Sequence, residues 1–285
     1  MPALLNATVL MSGAEYFDVV DLNAYSHQIE EVNQARAINE HQSVIAALEQ
    51  AGVSIVKVAG PAGCQDGIFT ANWGLCREDK VVLSSLPGPR KSEEAYAEKV
   101  LTDLGKRVIK APYRFSGQGD ALPCGNYLLA GSNYRTDPRM HAFLATELGY
   151  EVISLEAIPE RDDDGNPVTN HLSGWPDSFF YDIDLAVAVL GEHLIAWCPE
   201  ALTQESQDKI RALPMQKIEV SLEEATKGFA CNLVSTGETV IMSAHAPQLQ
   251  AAIEARGLRT ITPGITELAK GGGYIRCVTL SLDNR

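Results

Sequence analysis

Apolar and polar positions along the chain repeat one succession of elements: a short apolar strand or pair of strands, an amphipathic helix, and a further strand. The clearest helix is predicted from about residue 33 to residue 50, where Ala37, Val44 and Leu48 recur at helical spacing. Gly52 follows as a signal for the end of the helix. Alternating apolar residues directly after this glycine predict the closing strand of the unit.

Five copies of this succession are predicted. They cover residues 7–58, 67–110, 127–155, 184–220 and 230–262. A further strand predicted from Lys270 to Leu280 is left over and is free to complete the first copy. Radial repetition, in which neighbouring units bury each other's faces, predicts one domain over residues 1–285, a five-bladed α/β propeller with pseudo-five-fold ββαβ repeats. A doubly wound α/β sheet, in which strands and helices also alternate, is the competing interpretation.

Composition and charge restrict the class of partner. The chain has 285 residues, 45% hydrophobic and 21% charged, which is ordinary for a globular protein. Its formal net charge of −14 argues against nucleic acid or an anionic membrane as a partner and suits a cationic small molecule. The amino terminus shows no signal peptide, and no apolar run approaches the roughly 20 residues of a membrane helix, so we expect a cytoplasmic protein. The composition indicates no particular oligomeric state.

The six cysteines are scattered, with no C-x-x-C pair and no short spacing typical of zinc sites. The sequence therefore predicts neither a metal nor an organic cofactor. One cysteine differs from the others because three consecutive glycines, residues 271–273, precede Cys277 in the last predicted strand. Glycine permits close backbone approach, so Cys277 is interpreted either as a nucleophile that faces a ligand or as a buried edge-strand thiol.

Four blocks of sequence are similar to those of a known superfamily. They are residues 64–75, residues 115–122 with residues 131–136, residues 180–184, and residues 272–277. In order, they resemble P-D-x-V-F-T-A-N-x-G-L, F-E-G-x-G-D with G-x-x-x-R-T, F-Y-H-L-D and G-G-x-x-x-C. These are patterns of the pentein superfamily of guanidine-modifying enzymes, which includes arginine deiminases, dimethylarginine dimethylaminohydrolases, arginine dihydrolases and amidinotransferases. The resemblance implies the same five-bladed fold.

The resemblance also implies covalent chemistry on a guanidinium group. A thiolate attacks the central carbon, a general acid protonates the departing amine, and water cleaves the intermediate. In this chain Cys277 would be the nucleophile, and Asp184 would hold the guanidinium nitrogens. Because the guanidinium carbon is a poor electrophile, carboxylates must fix the planar group while sulfur approaches it.

Further residues are implied as substrate-binding groups. They are Asp66, Asn72, Asp120, Arg135 and Asn23. Asp120 would orient the substrate, the Asn72 amide would meet a ligand nitrogen or ureido oxygen, and Arg135 would bind a substrate α-carboxylate. Asn23 lies in a loop that often covers the pocket in relatives.

The chain departs from the superfamily at two linked positions. Asp182 stands where F-Y-H-L-D has its general acid/base histidine, and Ser116 stands where F-E-G has the glutamate that pairs with it. Three accounts follow. Asp182 itself acts as acid/base beside Asp184, or a histidine from elsewhere replaces the missing one, or catalysis is lost and the chain is a binding protein. The candidate replacements are His171 and His245.

The function implied is hydrolysis of a non-peptide C–N bond in a small guanidino or ureido compound, such as arginine, a methylated arginine or citrulline. An amidinotransferase that uses the same cysteine is the nearest alternative. A non-catalytic pentein that binds a ligand is the second alternative.

Overall fold

The computed structural model describes residues 5–19, 31–171 and 173–284. Asn23 therefore lies outside the described residues. The helices in this part of the chain are α1 (Gln34–Gln50), α2 (Glu93–Asp103), α3 (Arg139–Leu148), α4 (Gln204–Ala212), α5 (Leu222–Lys227) and α6 (Pro247–Glu254). The strands are β1 (Thr8–Ser12), β2 (Ser54–Val58), β3 (Gly74–Arg77), β4 (Lys80–Leu83), β5 (Arg107–Lys110), β6 (Ala121–Cys124), β7 (Tyr127–Gly131), β8 (Glu151–Leu155), β9 (Val187–Gly191), β10 (Leu194–Trp197), β11 (Gln216–Glu219), β12 (Val234–Ser235), β13 (Thr239–Ile241), β14 (Arg259–Ile261) and β15 (Leu280–Ser281).

The strands form five separate three-stranded sheets, each of mixed direction. Their orders are β15-β1-β2, β3-β4-β5, β6-β7-β8, β9-β10-β11 and β12-β13-β14. In every sheet the middle strand is antiparallel to one neighbour and parallel to the other, and the parallel pair is joined through a helix. The predicted repeat is therefore confirmed as an α/β arrangement of five small mixed sheets, and a single doubly wound sheet is excluded.

The two ends of the chain meet in the first sheet. Strand β15 pairs antiparallel with β1, so that Leu280 faces Leu10 and Ser281 faces Val9. The prediction that the leftover C-terminal strand completes the first copy is confirmed by this pairing.

The strand predicted from Lys270 to Leu280 is wrong in its extent. A 3-10 turn occupies Leu268–Gly271, Gly272 has a φ of 80°, and β15 itself contains only Leu280 and Ser281. Cys277 thus lies in a turn before the strand. The positive φ interrupts an extended backbone, which the apolar pattern of this segment does not reveal.

The same correction applies to the other units. In the second, fourth and fifth copies the first residues predicted as strand form turns, and the strand begins later, at Gly74, Val187 and Val234. The third copy has a first strand, β6, that the sequence did not indicate. This strand contains Pro123, and proline inside a short apolar segment argues against a strand.

Helix α1 shows how the helices cover the sheets. Ala37, Val44 and Leu48 are fully buried on its inner face, and Asn33 caps its first turn by accepting a hydrogen bond from the backbone N–H of Arg36. None of the helices in the described ranges is long and apolar enough to cross a bilayer.

Candidate functional site

Turns that precede the first strand of each sheet carry the residues of the candidate site. One residue or pair of residues comes from each of the five units: Cys277 before β15, Asn72 before β3, Asp120 before β6, Asp182 with Asp184 before β9, and Asn232 before β12. These turns lie next to one another; the turn at Thr70–Trp73, for example, contacts both Gly117–Gly119 and β15. Residues far apart in sequence are thereby brought together at one place.

The Cys277 thiol is 3% exposed and has two close side-chain neighbours. The Asn232 Nδ2 group donates to its Sγ at 3.2 Å, and the Sγ lies 3.5 Å from Oδ2 of Asp184. Burial raises the pKa of the Cys277 thiol well above its usual value, and the charges of Asp184 and Asp182 raise it further. In this environment a bound cation would favour the thiolate, because it offsets the negative charges of the two aspartates.

Gly273 shows why the segment before Cys277 requires glycine. A Cβ at this position would lie 2.5 Å from Cε1 of Phe69 and 2.9 Å from the Cβ of Cys277. Any side chain here would displace the cysteine or the Phe69 ring, so the close approach expected from the glycines is present.

Three buried carboxyl groups form a cluster that reaches the thiol through Asp184. Asp120, Asp182 and Asp184 are each at most 2% exposed, and Oδ1 of Asp120 accepts the backbone N–H of Ile183 at 3.0 Å. Burial, followed by the charge of Asp182, raises the pKa values of Asp120 and Asp184 well above the usual carboxyl range. Three carboxyl groups placed this close together favour a cationic ligand, which would offset their negative charge.

Asn72 connects the two positions that depart from the superfamily. Its Nδ2 donates to Oδ2 of Asp182 at 2.9 Å and to the hydroxyl and carbonyl oxygens of Ser116, also at 2.9 Å. Its Oδ1 accepts a hydrogen bond from Nη1 of Arg90 at 2.7 Å. The substitutions at 116 and 182 are thus linked through one amide.

Arg135 lies against the same carboxylate. Its guanidinium stacks on the Tyr181 ring at 3.9 Å, and Nη1 lies 3.6 Å from Oδ2 of Asp182. The Tyr181 hydroxyl donates to the carbonyl of Gly272 at 2.6 Å, so this arginine is held close to the turn that carries Cys277.

Asp66 is near the cluster but has a different partner. It is 8% exposed, with Oδ2 4.0 Å from Nε of Arg90, which itself forms a closer pair with Glu93 at 2.7 Å. Burial raises the pKa of Asp66 to about 6, although the Arg90 charge opposes the rise. Asp66 thus belongs to a buried ion-pair network that borders Asn72.

The two alternative histidines are not brought into the cluster. His171 and His245 are exposed, and neither is a hydrogen-bond partner of Cys277 or Asp184 in the described ranges. Of Asp182, His171 and His245, Asp182 alone lies within the carboxyl cluster.

Two residues of the site were not predicted from the sequence. Asn232 is a polar amide within the apolar run 229–234, and this pattern is a signal for a buried group with dedicated hydrogen-bond partners. Arg90 is 3% exposed and lies in a proline-rich segment that carries no local signal of burial.

A search of family models finds a match over residues 18–283 to the family described as N,N dimethylarginine dimethylhydrolase, eukaryotic. The N(G),N(G)-dimethylarginine dimethylaminohydrolase of Mycobacterium tuberculosis is 32% identical over 254 residues, which are 88% of this chain and 76% of that protein. The bifunctional arginine dihydrolase/ornithine cyclodeaminase AgrE of Nostoc is 30% identical over 280 residues, so the chain spans 95% of its own length but only 37% of that relative.

Solved structures agree in fold. The N-terminal domain of ArgZ, an arginine dihydrolase of cyanobacteria bound to product, superposes with a TM-score of 0.86 and 27% identity over 97% of both chains. The dimethylarginine dimethylaminohydrolase of Pseudomonas aeruginosa, complexed with citrulline, matches with a TM-score of 0.72 and 20% identity over 96% of this chain and 98% of that chain, which supports the fold alone. The chain belongs to the dimethylarginine dimethylaminohydrolase family of the pentein superfamily.

Proposed function

We propose that this protein hydrolyses a C–N bond of a small guanidino compound through a covalent intermediate on Cys277. The observation that carries the proposal is the buried thiol 3.5 Å from a carboxyl oxygen of Asp184, within a cluster of three aspartates. Oδ1 of Asp182 and Oδ1 of Asp184 have no hydrogen-bond partner among the residues that the structure describes. Such buried acceptors suit the N–H groups of a guanidinium ion.

Asp184 is the proposed carrier of the proton. When the cationic substrate binds, the Cys277 thiol passes its proton to the Asp184 carboxylate, and the sulfur bonds to the guanidinium carbon. The proton then moves to the leaving nitrogen as its C–N bond breaks. Water attacks the carbon of the adduct and gives up one proton to Asp184, and this proton returns to sulfur as the C–S bond breaks. The second proton of the water leaves with the released amine or to solvent as the ureido carbonyl forms. Burial, followed by the charge of Asp182, raises the pKa of Asp184 and so favours acceptance of the thiol proton by this carboxylate.

Asp182 is proposed to replace the family histidine as a fixed acceptor beside Asp184. Its Oδ2 already accepts the Asn72 amide and lies near Arg135, which leaves Oδ1 for the substrate. Asn72, Asp120 and Asp66 are proposed to shape the guanidinium subsite, and Arg135 is proposed to bind the substrate carboxylate.

The five sheets are proposed to close as blades of one propeller domain. The first strands of neighbouring sheets lie beside each other, as β6 does to β9 and β9 does to β12, and β15 contacts β3. This arrangement supports a site at the meeting point of the five turns.

A non-catalytic binding protein is the second candidate, because the structure brings no histidine to the cysteine among the described residues. Turnover distinguishes the two. Wild type and Cys277→Ser are mixed with L-arginine, N,N-dimethylarginine, citrulline or guanidinoacetate, and ammonia, dimethylamine and urea are measured with and without an added amine acceptor.

Release of ammonia or dimethylamine by the wild type alone supports hydrolysis, and product formation only with the amine acceptor would indicate an amidinotransferase. Binding of a guanidino compound by calorimetry without any turnover would contradict the hydrolase and support the binding protein.

A further inference from the structure

The Asn232 side chain is fully buried between α5 and β12, and it spans the whole turn that carries Cys277. Its Oδ1 accepts three backbone N–H groups: Tyr274 at 3.1 Å, Arg276 at 3.0 Å and Cys277 at 3.2 Å. An amide oxygen has two lone pairs, so three donors saturate it. The turn therefore depends on one side chain from another unit of the fold.

This bonding pattern also fixes which way the amide faces. Three N–H donors require the oxygen of Asn232 on their side, so the Nδ2 group must face the other way. It donates to Sγ of Cys277 at 3.2 Å. The orientation of the donor is thus set by the turn itself, and the amide cannot rotate away without leaving three buried N–H groups unsatisfied.

The Nδ2 group of Asn232 affects the ionisation of the Cys277 thiol. The charged and titratable groups that act on the thiol are Asp184, Asp182, Tyr181 and Arg276. Burial and then the charges of the two aspartates oppose the thiolate, while hydrogen bonds from the Tyr274 backbone and the Asn232 amide favour it. Arg276 opposes the aspartates through space, and Nη2 of this arginine donates to Gln118 at 3.1 Å, away from the sulfur. Among the described residues, Asn232 is therefore the neutral side-chain donor that reaches the sulfur directly.

We propose that Asn232 holds the Cys277 turn and stabilises the Cys277 thiolate through its Nδ2 group, an inference that rests on Cys277 being the nucleophile of the proposed function. The amide stays neutral, so it favours the thiolate without repelling a cationic substrate. The same hydrogen bond keeps the sulfur pointed toward the carboxylate cluster.

Two substitutions separate the structural contribution from the electrostatic one. Asn232→Asp keeps the acceptor for the three N–H groups but places a second carboxyl oxygen against the sulfur. Asn232→Ala removes both contributions. Asn33→Asp is the matched control, because it makes the same change of charge at the cap of α1, where aspartate caps as well as asparagine.

The rate of Cys277 alkylation by iodoacetamide is measured between about pH 6 and about pH 11, with the labelled peptide identified by mass spectrometry. We expect the midpoint of this pH dependence to be at least about one pH unit higher in Asn232→Asp than in the wild type. Such a shift lowers the rate of Cys277 alkylation at neutral pH about tenfold. Asn232→Ala shows the same direction together with lower thermal stability, and Asn33→Asp matches the wild type. Coinciding midpoints in the wild type and folded Asn232→Asp would overturn the inference.

A measurement on the native residue covers the case in which the variants do not fold. The side-chain amide of Asn232, followed by NMR in the wild type, shifts with the same midpoint as Cys277 alkylation and does not titrate in Cys277→Ala. A signal that is insensitive to pH in both proteins contradicts the inference. Because neither experiment uses a substrate, absence of arginine turnover would reject the proposed function and leave this result intact.

Discussion

The Asn72 amide is the residue through which two unusual positions of this chain become one arrangement. It donates to both Ser116 and Asp182, and Arg90 holds its oxygen. The sequence showed that positions 116 and 182 change together, but it could not show that a third residue links them. The two hydrogen bonds join residues that are separated by 44 and by 110 positions in the sequence. Such bonds depend on the three-dimensional fold and leave no local sequence pattern.

Asp184 has two opposite effects on the Cys277 thiol in the proposed mechanism. Its negative charge raises the pKa of the Cys277 thiol, while its carboxyl group is the proposed proton carrier. We expect Asp184→Asn to lower the midpoint of Cys277 alkylation by about one pH unit, because a charge that disfavours the thiolate is removed. Turnover should nevertheless fall at least about 100-fold, since the acid/base group is lost.

Asp208→Asn makes the same change of charge on the exposed face of α4. This control should alter neither the pH midpoint of Cys277 alkylation nor the rate of turnover. A midpoint in Asp184→Asn that stays the same or rises would show that the carboxylate does not act on the thiol as proposed.

At the scale of elements, the turns before the first strands place the functional groups, and each turn depends on close packing. Helices were predictable from their apolar spacing, as in α1. The turns were not, because residues such as those around Asn72 and Cys277 have the same apolar content as a strand. Their backbone is bent by contacts with other units, including the three N–H groups that Asn232 accepts.

Gly119 tests the packing of these turns. A Cβ on this residue would lie 2.6 Å from Nδ2 of Asn72 and 2.7 Å from Oδ2 of Asp182, so Gly119→Ala must separate the two groups. A displacement of this size in a positioned carboxylate should lower kcat/KM about 100-fold.

Gly264→Ala is the matched control, because a Cβ there meets no atom within 4 Å. Its activity should equal that of the wild type, as measured by the same product assay. Equal activity in folded Gly119→Ala would mean that the contact between Asn72 and Asp182 is not needed for turnover.

At the scale of the whole molecule, the sheet that joins the chain ends follows directly on the turn that carries Cys277. Four sheets are each built from one continuous stretch of sequence. For that reason the repeat of strands and helix in these four units was predictable from the sequence. The first sheet needs residues 280–281 beside residues 8–12, and only the surplus strand at the C-terminus indicated this closure.

Leu280 is the test of that closure. It is fully buried against a cluster that contains Leu10 and Trp73. Leu280→Ala should lower the free energy of unfolding by about 2–5 kcal/mol, because it leaves a cavity in the sheet that closes the fold. Chemical denaturation measures the change, and Leu104→Ala, at a residue 40% exposed, should stay within about 0.5 kcal/mol of the wild type. Equal losses in the two variants would contradict the role of the closing sheet.

Covalent labelling tests most directly whether Cys277 is the nucleophile of a guanidinium site, as proposed. A haloacetamidine, a small amidine cation, is mixed with wild type, Cys277→Ser and Cys64→Ser, the last because Cys64 is the most exposed of the other cysteines at 8%. Intact-mass spectrometry should show one adduct on wild type and on Cys64→Ser, slowed by L-arginine, and none on Cys277→Ser. An adduct that persists in Cys277→Ser at the wild-type rate would contradict the account.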